Sequence, residues 1–184
     1  MLQGGLLRVS ELVDGERAVA GEFVGTAFLL AAVVGSGIMG ERLAGGNVAV
    51  ALLANALATG AALIALIVTF GPVSGAHFNP LVTLTARPRG EGAGTVAAYV
   101  SAQFAGAVCG VMLVHVMFEV PLVAWSTHAR GGLPQVLSEA VATFGLLGVI
   151  VSSSRRTPWA TPLAVAGYIT AAYWFTASTS FANP

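Results

Sequence analysis

The chain has 184 residues, of which 56% are hydrophobic and only 9% charged, against about 25% charged in an average soluble domain. Its eight basic residues are all arginine and are balanced by eight acids, which leaves no basic surface for nucleic acid and argues against a polynucleotide partner. A single cysteine, Cys109, excludes an internal disulfide and a cysteine-based metal cluster, and its apolar neighbours predict a buried, inert thiol.

This composition predicts an all-α membrane protein. Arg8, Glu11, Asp14, Glu16 and Arg17 break the apolar run that a cleavable signal peptide needs, so residues 1–18 read as a short, partly helical cytosolic leader. Five segments then approach the roughly 20 apolar residues that a helical span requires: 19–39, 48–70, 95–118, 133–153 and 159–175. With the N-terminus inside, Arg8, Arg17, Arg87, Arg89, Arg155 and Arg156 are all cytosolic and only Arg42 and Arg130 are outside, as the retention of positive charge on the cytosolic side demands. Trp125 and Trp159 fall near span ends and read as interfacial anchors.

Between the second and third spans, residues 71–92 form a turn-rich polar loop. Gly71, Pro72, Ser74 and Gly75 are followed by a helical run over residues 80–86. Seven residues at 1.5 Å each reach about 10 Å, a third of the hydrocarbon core, so the segment dips into the membrane and returns. Asn79 before Pro80 is a helix start, an N-cap acceptor followed by a residue with no N–H to satisfy. Irregular backbone at that depth is tolerated only where it lines a water-filled cavity or is buried in protein, so the loop argues for a pathway.

The chain also repeats itself. Glu22-Phe23-Val24-Gly25-Thr26-Ala27-Phe28-Leu29-Leu30 aligns with Glu139-Ala140-Val141-Ala142-Thr143-Phe144-Gly145-Leu146-Leu147, and the Ser, aromatic and Asn-Pro elements of the loop return in Ser178-Thr179-Ser180-Phe181-Ala182-Asn183-Pro184. The expected organisation is a first repeat over 19–118, an outer connecting loop over 119–132 and an incomplete second repeat over 133–184. The two repeats begin on opposite sides of the membrane, an inversion typical of transport proteins. Two half-helices starting at Asn79 and Asn183 would meet near the midplane, where their positive dipole ends repel cations and protons. The asparagine amides would donate hydrogen bonds to neutral hydroxylated molecules.

In these motifs the sequence resembles the major intrinsic protein family, the aquaporins and aquaglyceroporins, of bacterial type. The resemblance runs from Gly21 to Pro184 and rests on Ser74-Gly75-Ala76-His77-Phe78-Asn79-Pro80, the Glu-led starts at Glu22 and Glu139, Ala102-Gln103-Phe104-Ala105-Gly106-Ala107 and the closing Asn183-Pro184. It implies an hourglass channel in the inner (plasma) membrane, a homotetramer with one pore per subunit, and no cofactor, metal or catalysis. Small uncharged solutes and the lipid bilayer are its expected partners. The pore motifs are Asn79, Pro80, Leu81, Asn183 and Pro184, with Glu22, Glu139, His77 and Gln103 supporting the loops. Gly106 and Gly110 form a small-xxx-small face that permits close helix packing.

The departures from the family pattern carry further expectations. Leu81 stands where the family usually has Ala and would crowd the central constriction. Family spacing places Thr59, Ala171 and Ser180 in the outer filter; all are small, which implies a wide filter suited to glycerol-like solutes or undissociated metalloid acids. The Arg that usually follows the second motif and the sixth span are absent, so the alternative to a channel is a truncated, inactive remnant. A secondary transporter would need ion-coupling residues, and acids are sparse within the spans. A membrane-embedded enzyme would need a nucleophile with its base, or a metal-ligand cluster.

Overall fold

The computed structural model describes residues 2–86, 92–124, 131–178 and 182–183, with side chains from Asp14 onward. It contains α1 (Leu2–Leu43), α2 (Val48–Ser74), the short α3 (Pro80–Ala86), α4 (Ala93–Met117), α5 (Leu133–Arg156), a 3-10 turn (Pro158–Ala160) and α6 (Thr161–Phe175). Among the described residues there is no strand. Arg87, Arg89, Trp125, Arg130, Ser180 and Pro184 lie outside the described residues.

The helices are held by contacts that fix their relative directions. Gly106 and Gly110 of α4 press against the backbone of Phe23 and Ala27 of α1, and the Arg42 guanidinium at the far end of α1 donates to the Phe118 carbonyl at 2.7 Å. These pairs rise together along both chains, so α1 and α4 run parallel. In contrast Ser36 of α1 meets Asn55 of α2, while Gly21 meets Ser74, which makes that pair antiparallel. The Tyr168 hydroxyl of α6 donates to the Ala142 carbonyl of α5 at 3.1 Å and Ala177 N–H to Ser138 Oγ at 3.2 Å, so α5 and α6 are antiparallel too. Because Asn55 meets Tyr173 while Gly60 meets Ala166, α6 is antiparallel to α2, and α5 runs with α2 and against α1. The two Glu-led helices therefore cross in opposite senses.

Four helical stretches, Asp14–Leu43, Val48–Ser74, Ala93–Met117 and Leu133–Arg156, are long and apolar enough to cross a membrane. Their outward faces carry exposed Phe28, Leu57, Val108 and Phe144, the pattern of helices that meet hydrocarbon rather than water. The fifth expected span is shorter than the sequence implied. Pro158 and Pro162 delay regular helix, leaving α6 with 15 residues, about 22 Å.

Three other expectations are corrected. Gly71, Pro72 and Ser74 belong to the last turn of α2 rather than to the loop. Proline there forfeits one backbone bond, but the turn is held from outside: the Tyr99 hydroxyl donates to the Ser74 carbonyl at 3.1 Å and Ser74 Oγ donates to Glu22 at 2.6 Å. Gly75 then ends the helix at φ 84°, a left-handed conformation that glycine adopts without penalty. The second correction concerns the leader, which is helical through its described residues rather than in part: α1 is one continuous helix of 42 residues. Third, Cys109 is exposed, not buried; it shares the outward face of α4 with Val108 and Met112, so its apolar neighbours mark a lipid-facing surface.

Candidate pore and its two loops

The residues linking α2 to α3 are arranged around one carboxylate. Glu22 is fully buried in α1. Its Oε1 accepts from Ser74 Oγ at 2.6 Å and His77 N at 3.0 Å, and its Oε2 accepts from Phe78 N at 2.7 Å and Gln103 Nε2 at 2.7 Å. Gln103 also donates to Thr83 Oγ1 at 2.9 Å, which ties α4 to α3. His77 Nδ1 lies 3.2 Å from the same hydroxyl. Glu22 and Gln103 thus stand together behind the loop, and Ser74 and Thr83, to which the motif reading gave no supporting role, complete the brace.

The brace orients the backbone. In a trans peptide the carbonyl of one residue points opposite to the N–H of the next. Since the N–H groups of His77 and Phe78 turn toward Glu22 and that of Ala76 toward Ser74 Oγ, the carbonyls of Gly75, Ala76 and His77 turn away from it. Those three residues line a cavity of about 740 Å³ that runs between α1, α2, α5 and α6. The arrangement requires positive φ at two non-glycine positions, Ala76 (52°) and Phe78 (48°). Such strained backbone, costing of order 1–3 kcal/mol per residue, persists where the surroundings over-determine it. Here the carboxylate does so.

At the crossing the two loops are joined reciprocally. Asn79 Nδ2 donates to the Ala182 carbonyl at 2.6 Å, and Asn183 Nδ2 donates to the Phe78 carbonyl at 2.9 Å. Ala182 N–H in turn donates to Glu139 Oε2 at 2.7 Å, just as Phe78 N–H donates to Glu22, and Ala182 shares a positive φ of 43°. Each Glu thus turns the residue before an Asn, and each Asn holds the carbonyl of the opposite loop. Asn79 also caps α3, its Oδ1 accepting from Leu81 N at 2.8 Å. Replacing Asn79 with Ala removes both the cap and the cross-loop bond and is expected to cost about 2 kcal/mol. Thermal unfolding in detergent measures it, and an unshifted transition would show that the loops do not depend on each other.

The remaining expected residues are distributed unevenly. Asn79, Pro80 and Asn183 line the cavity, whereas Leu81 does not, its neighbours Pro80 and Val82 taking that place. Thr59 lines it as well, on a stripe with Asn55, Leu63 and Ile67. Ala171 is exposed and outside the lining. The reason is helical phase: Val165, Ile169 and Tyr173 form the cavity face of α6, and a residue two positions from Tyr173 points about 200° away from it. Asn55 and Tyr173 were not read from the sequence. Asn55 carried a signal, a lone amide one turn from Thr59 on an otherwise apolar helix.

Comparison with known proteins agrees with this architecture. A family model described as Major intrinsic protein matches residues 10–180. The aquaglyceroporin AqpS of Rhizobium meliloti (strain 1021) is 51% identical over 172 residues, covering 93% of this chain and 73% of its own length. Aquaporin NIP6-1 of Arabidopsis thaliana is 29% identical over 143 residues, 77% of this chain and 46% of its own, and aquaporin TIP4-4 of Zea mays is 37% identical over 145 residues, 74% and 57%. The chain spans about half the length of these plant relatives. A braced re-entrant loop, a reciprocal asparagine crossing, opposed Glu-led helices and this match across most of the sequence lead to one conclusion: the chain belongs to the major intrinsic protein family, passive channels for water and small solutes such as glycerol.

Proposed function

We propose that the cavity is a pathway for small uncharged molecules bearing hydroxyl groups, glycerol and undissociated metalloid acids among them, and that it excludes ions and protons. The observation that carries this reading is the crossing of Asn79 and Asn183, each amide spending a donor on the opposite loop. An amide nitrogen has two N–H groups, so each asparagine retains one for a passing solute, beside carbonyls that can accept from it. Beside the crossing, Leu63, Ile67, Val165 and Ile169 give the lining an apolar stretch. That stretch offers little to replace the hydration of an ion. The aquaglyceroporin relative at 51% identity supports a solute larger than water.

The reading extends to the assembly. The N-terminus is cytosolic in the inner membrane, the repeats occupy 19–118 and 133–184 about a connecting loop, and four subunits each carry a pore. Thr59 and Ser180 contribute to the filter, and Pro184 continues the second motif.

Vesicles containing the whole protein are expected to re-swell in a glycerol gradient faster than empty vesicles, at a rate linear in the gradient. An entrapped pH dye should report no added proton entry. Traces indistinguishable from empty vesicles would overturn the reading, and a saturating rate would favour a transporter.

A further inference from the structure

The end of the bundle where α5 stops carries positive charge that the chain itself leaves unused. Arg155 and Arg156 close the last turn of α5, and both are exposed. Among the described residues the one ion pair joins Arg17 to Asp14 at 3.8 Å, and neither arginine of α5 bonds to another described residue. Because α5 runs against α1, Arg17 stands at the same end of the bundle, but with an acid one turn before it. The backbone that carries the unpaired arginines is well held. Thr157 N–H donates to the Ser153 carbonyl at 2.8 Å and Ala160 N–H to the Thr157 carbonyl at 2.9 Å. Pro158 and Pro162 restrict φ in the 3-10 turn and at the start of α6, and the exposed Trp159 stands on that turn.

Arg155 also ends an outward face. Positions 144, 148, 151 and 155 fall within about 60° of one another around a helix, and Phe144, Gly148, Val151 and Arg155 are all exposed. Since α5 is long and apolar enough to cross a membrane, the first three meet hydrocarbon. From Phe144 to Arg155 the helix rises about 16 Å, close to half of a hydrocarbon core about 30 Å thick. A lipid whose chain lies along Phe144 and Val151 therefore has its headgroup at Arg155, beside Arg156 and Trp159. Indole rings favour that depth, and a guanidinium can hold a phosphate through two parallel N–H donors. A zwitterionic headgroup would bring its own cation to the two guanidiniums; an anionic one brings only the charge they lack.

We propose that the end of α5 and the turn after it form a docking site for an anionic phospholipid. Arg155 and Arg156 hold its phosphate, Val151 and Phe144 meet its chain, and Trp159 lies at the level of its headgroup. None of Arg155, Arg156, Trp159, Val151 and Phe144 lines the cavity, so the site stands or falls apart from the solute pathway. Arg17, already paired with Asp14, offers no equivalent.

The test titrates the whole protein, in a neutral detergent, with phosphatidylglycerol or with phosphatidylcholine of the same chains, and reads bound lipid by native mass spectrometry. One basic residue near an anionic lipid surface is worth about fivefold in binding. The preference of the wild type for phosphatidylglycerol is therefore expected to fall about fivefold in Arg156→Gln and about thirtyfold in Arg155→Gln/Arg156→Gln. Both side chains are exposed and bonded to no described residue, so the variants should fold as the wild type does. Arg17→Gln, which removes the same charge from the same end of the bundle, should leave the preference unchanged. Inorganic phosphate at the concentration of the lipid should not displace it, because phosphate alone has no chain to lay along Val151 and Phe144. A wild type without the preference, a double variant that keeps it, an equal fall in Arg17→Gln, or displacement by inorganic phosphate overturns the site.

Discussion

Replacing Glu22 with Ala is expected to leave little folded protein. The carboxylate is the shared acceptor for Ser74 Oγ, the N–H groups of His77 and Phe78, and Gln103 Nε2, all within 3.0 Å. Alanine removes every one of those acceptors at a fully buried site. A buried donor left unsatisfied costs about 1–3 kcal/mol; even at the low end the four together approach 4 kcal/mol. That is a large part of the 5–15 kcal/mol that typically separates folded from unfolded protein. The strained conformations of Ala76 and Phe78 would also lose what holds them. Glu22→Gln should be milder, about 1–3 kcal/mol, because the amide keeps the shape and one acceptor but opposes donors with its own N–H groups. Size-exclusion profiles and thermal unfolding in detergent measure both. A Glu22→Ala protein as stable as wild type would show that the loop holds its conformation without the carboxylate.

The second large effect is expected at the α1–α4 contact. A Cβ placed on Gly106 would overlap the Phe23 backbone, and one on Gly110 the Ala27 backbone. A flexible side chain could swing aside; a helix backbone cannot, so the two helices must separate along their whole contact. Overpacking costs typically 1–3 kcal/mol, and the rigid neighbour puts Gly106→Ala and Gly110→Ala at about 3 kcal/mol each. Gly148 of α5 provides the contrast, since nothing lies within 4 Å of a Cβ there. Gly148→Ala should be neutral or stabilising by up to about 1 kcal/mol, because alanine is the better helix former. Equal unfolding temperatures for Gly110→Ala and Gly148→Ala would contradict the close packing of α1 and α4.

How much was legible in the sequence depends on whether a residue's role is local. The start of α3 is local: Asn79 caps and Pro80 occupies the first turn, and the helix runs over Pro80–Ala86 as that pairing implies. The end of α2 is not local. Pro72 reads as a breaker, yet the turn survives because Tyr99 and Glu22, 25 and 52 residues from Ser74, supply its hydrogen bonds. Likewise the family spacing placed Ala171 in the filter by counting from Asn183, but the orientation of α6 is set by its packing. Gly60 of α2 admits Thr170 and Gly145 of α5 admits Tyr168, and that leaves Tyr173 facing the cavity. Cys109 shows the limit of neighbour-based burial in a membrane chain, where apolar surroundings describe the outer surface as well as the core. The reciprocal tie of Phe78 with Asn183 and of Ala182 with Asn79 was invisible for a further reason: backbone carbonyls carry it, and no side-chain motif reports where a carbonyl points.

In the proposed function the cavity beside these loops is the route a solute takes. Leu63 lines it on α2, one turn beyond Thr59 and clear of both loops. Glycerol permeability should be measured for vesicles carrying equal amounts of folded wild-type protein and Leu63→Trp, whose larger side chain would fill the passage. Rapid re-swelling is expected for the wild type and a rate near that of empty vesicles for the variant; equal permeability in the two would mean that solute does not pass through this cavity.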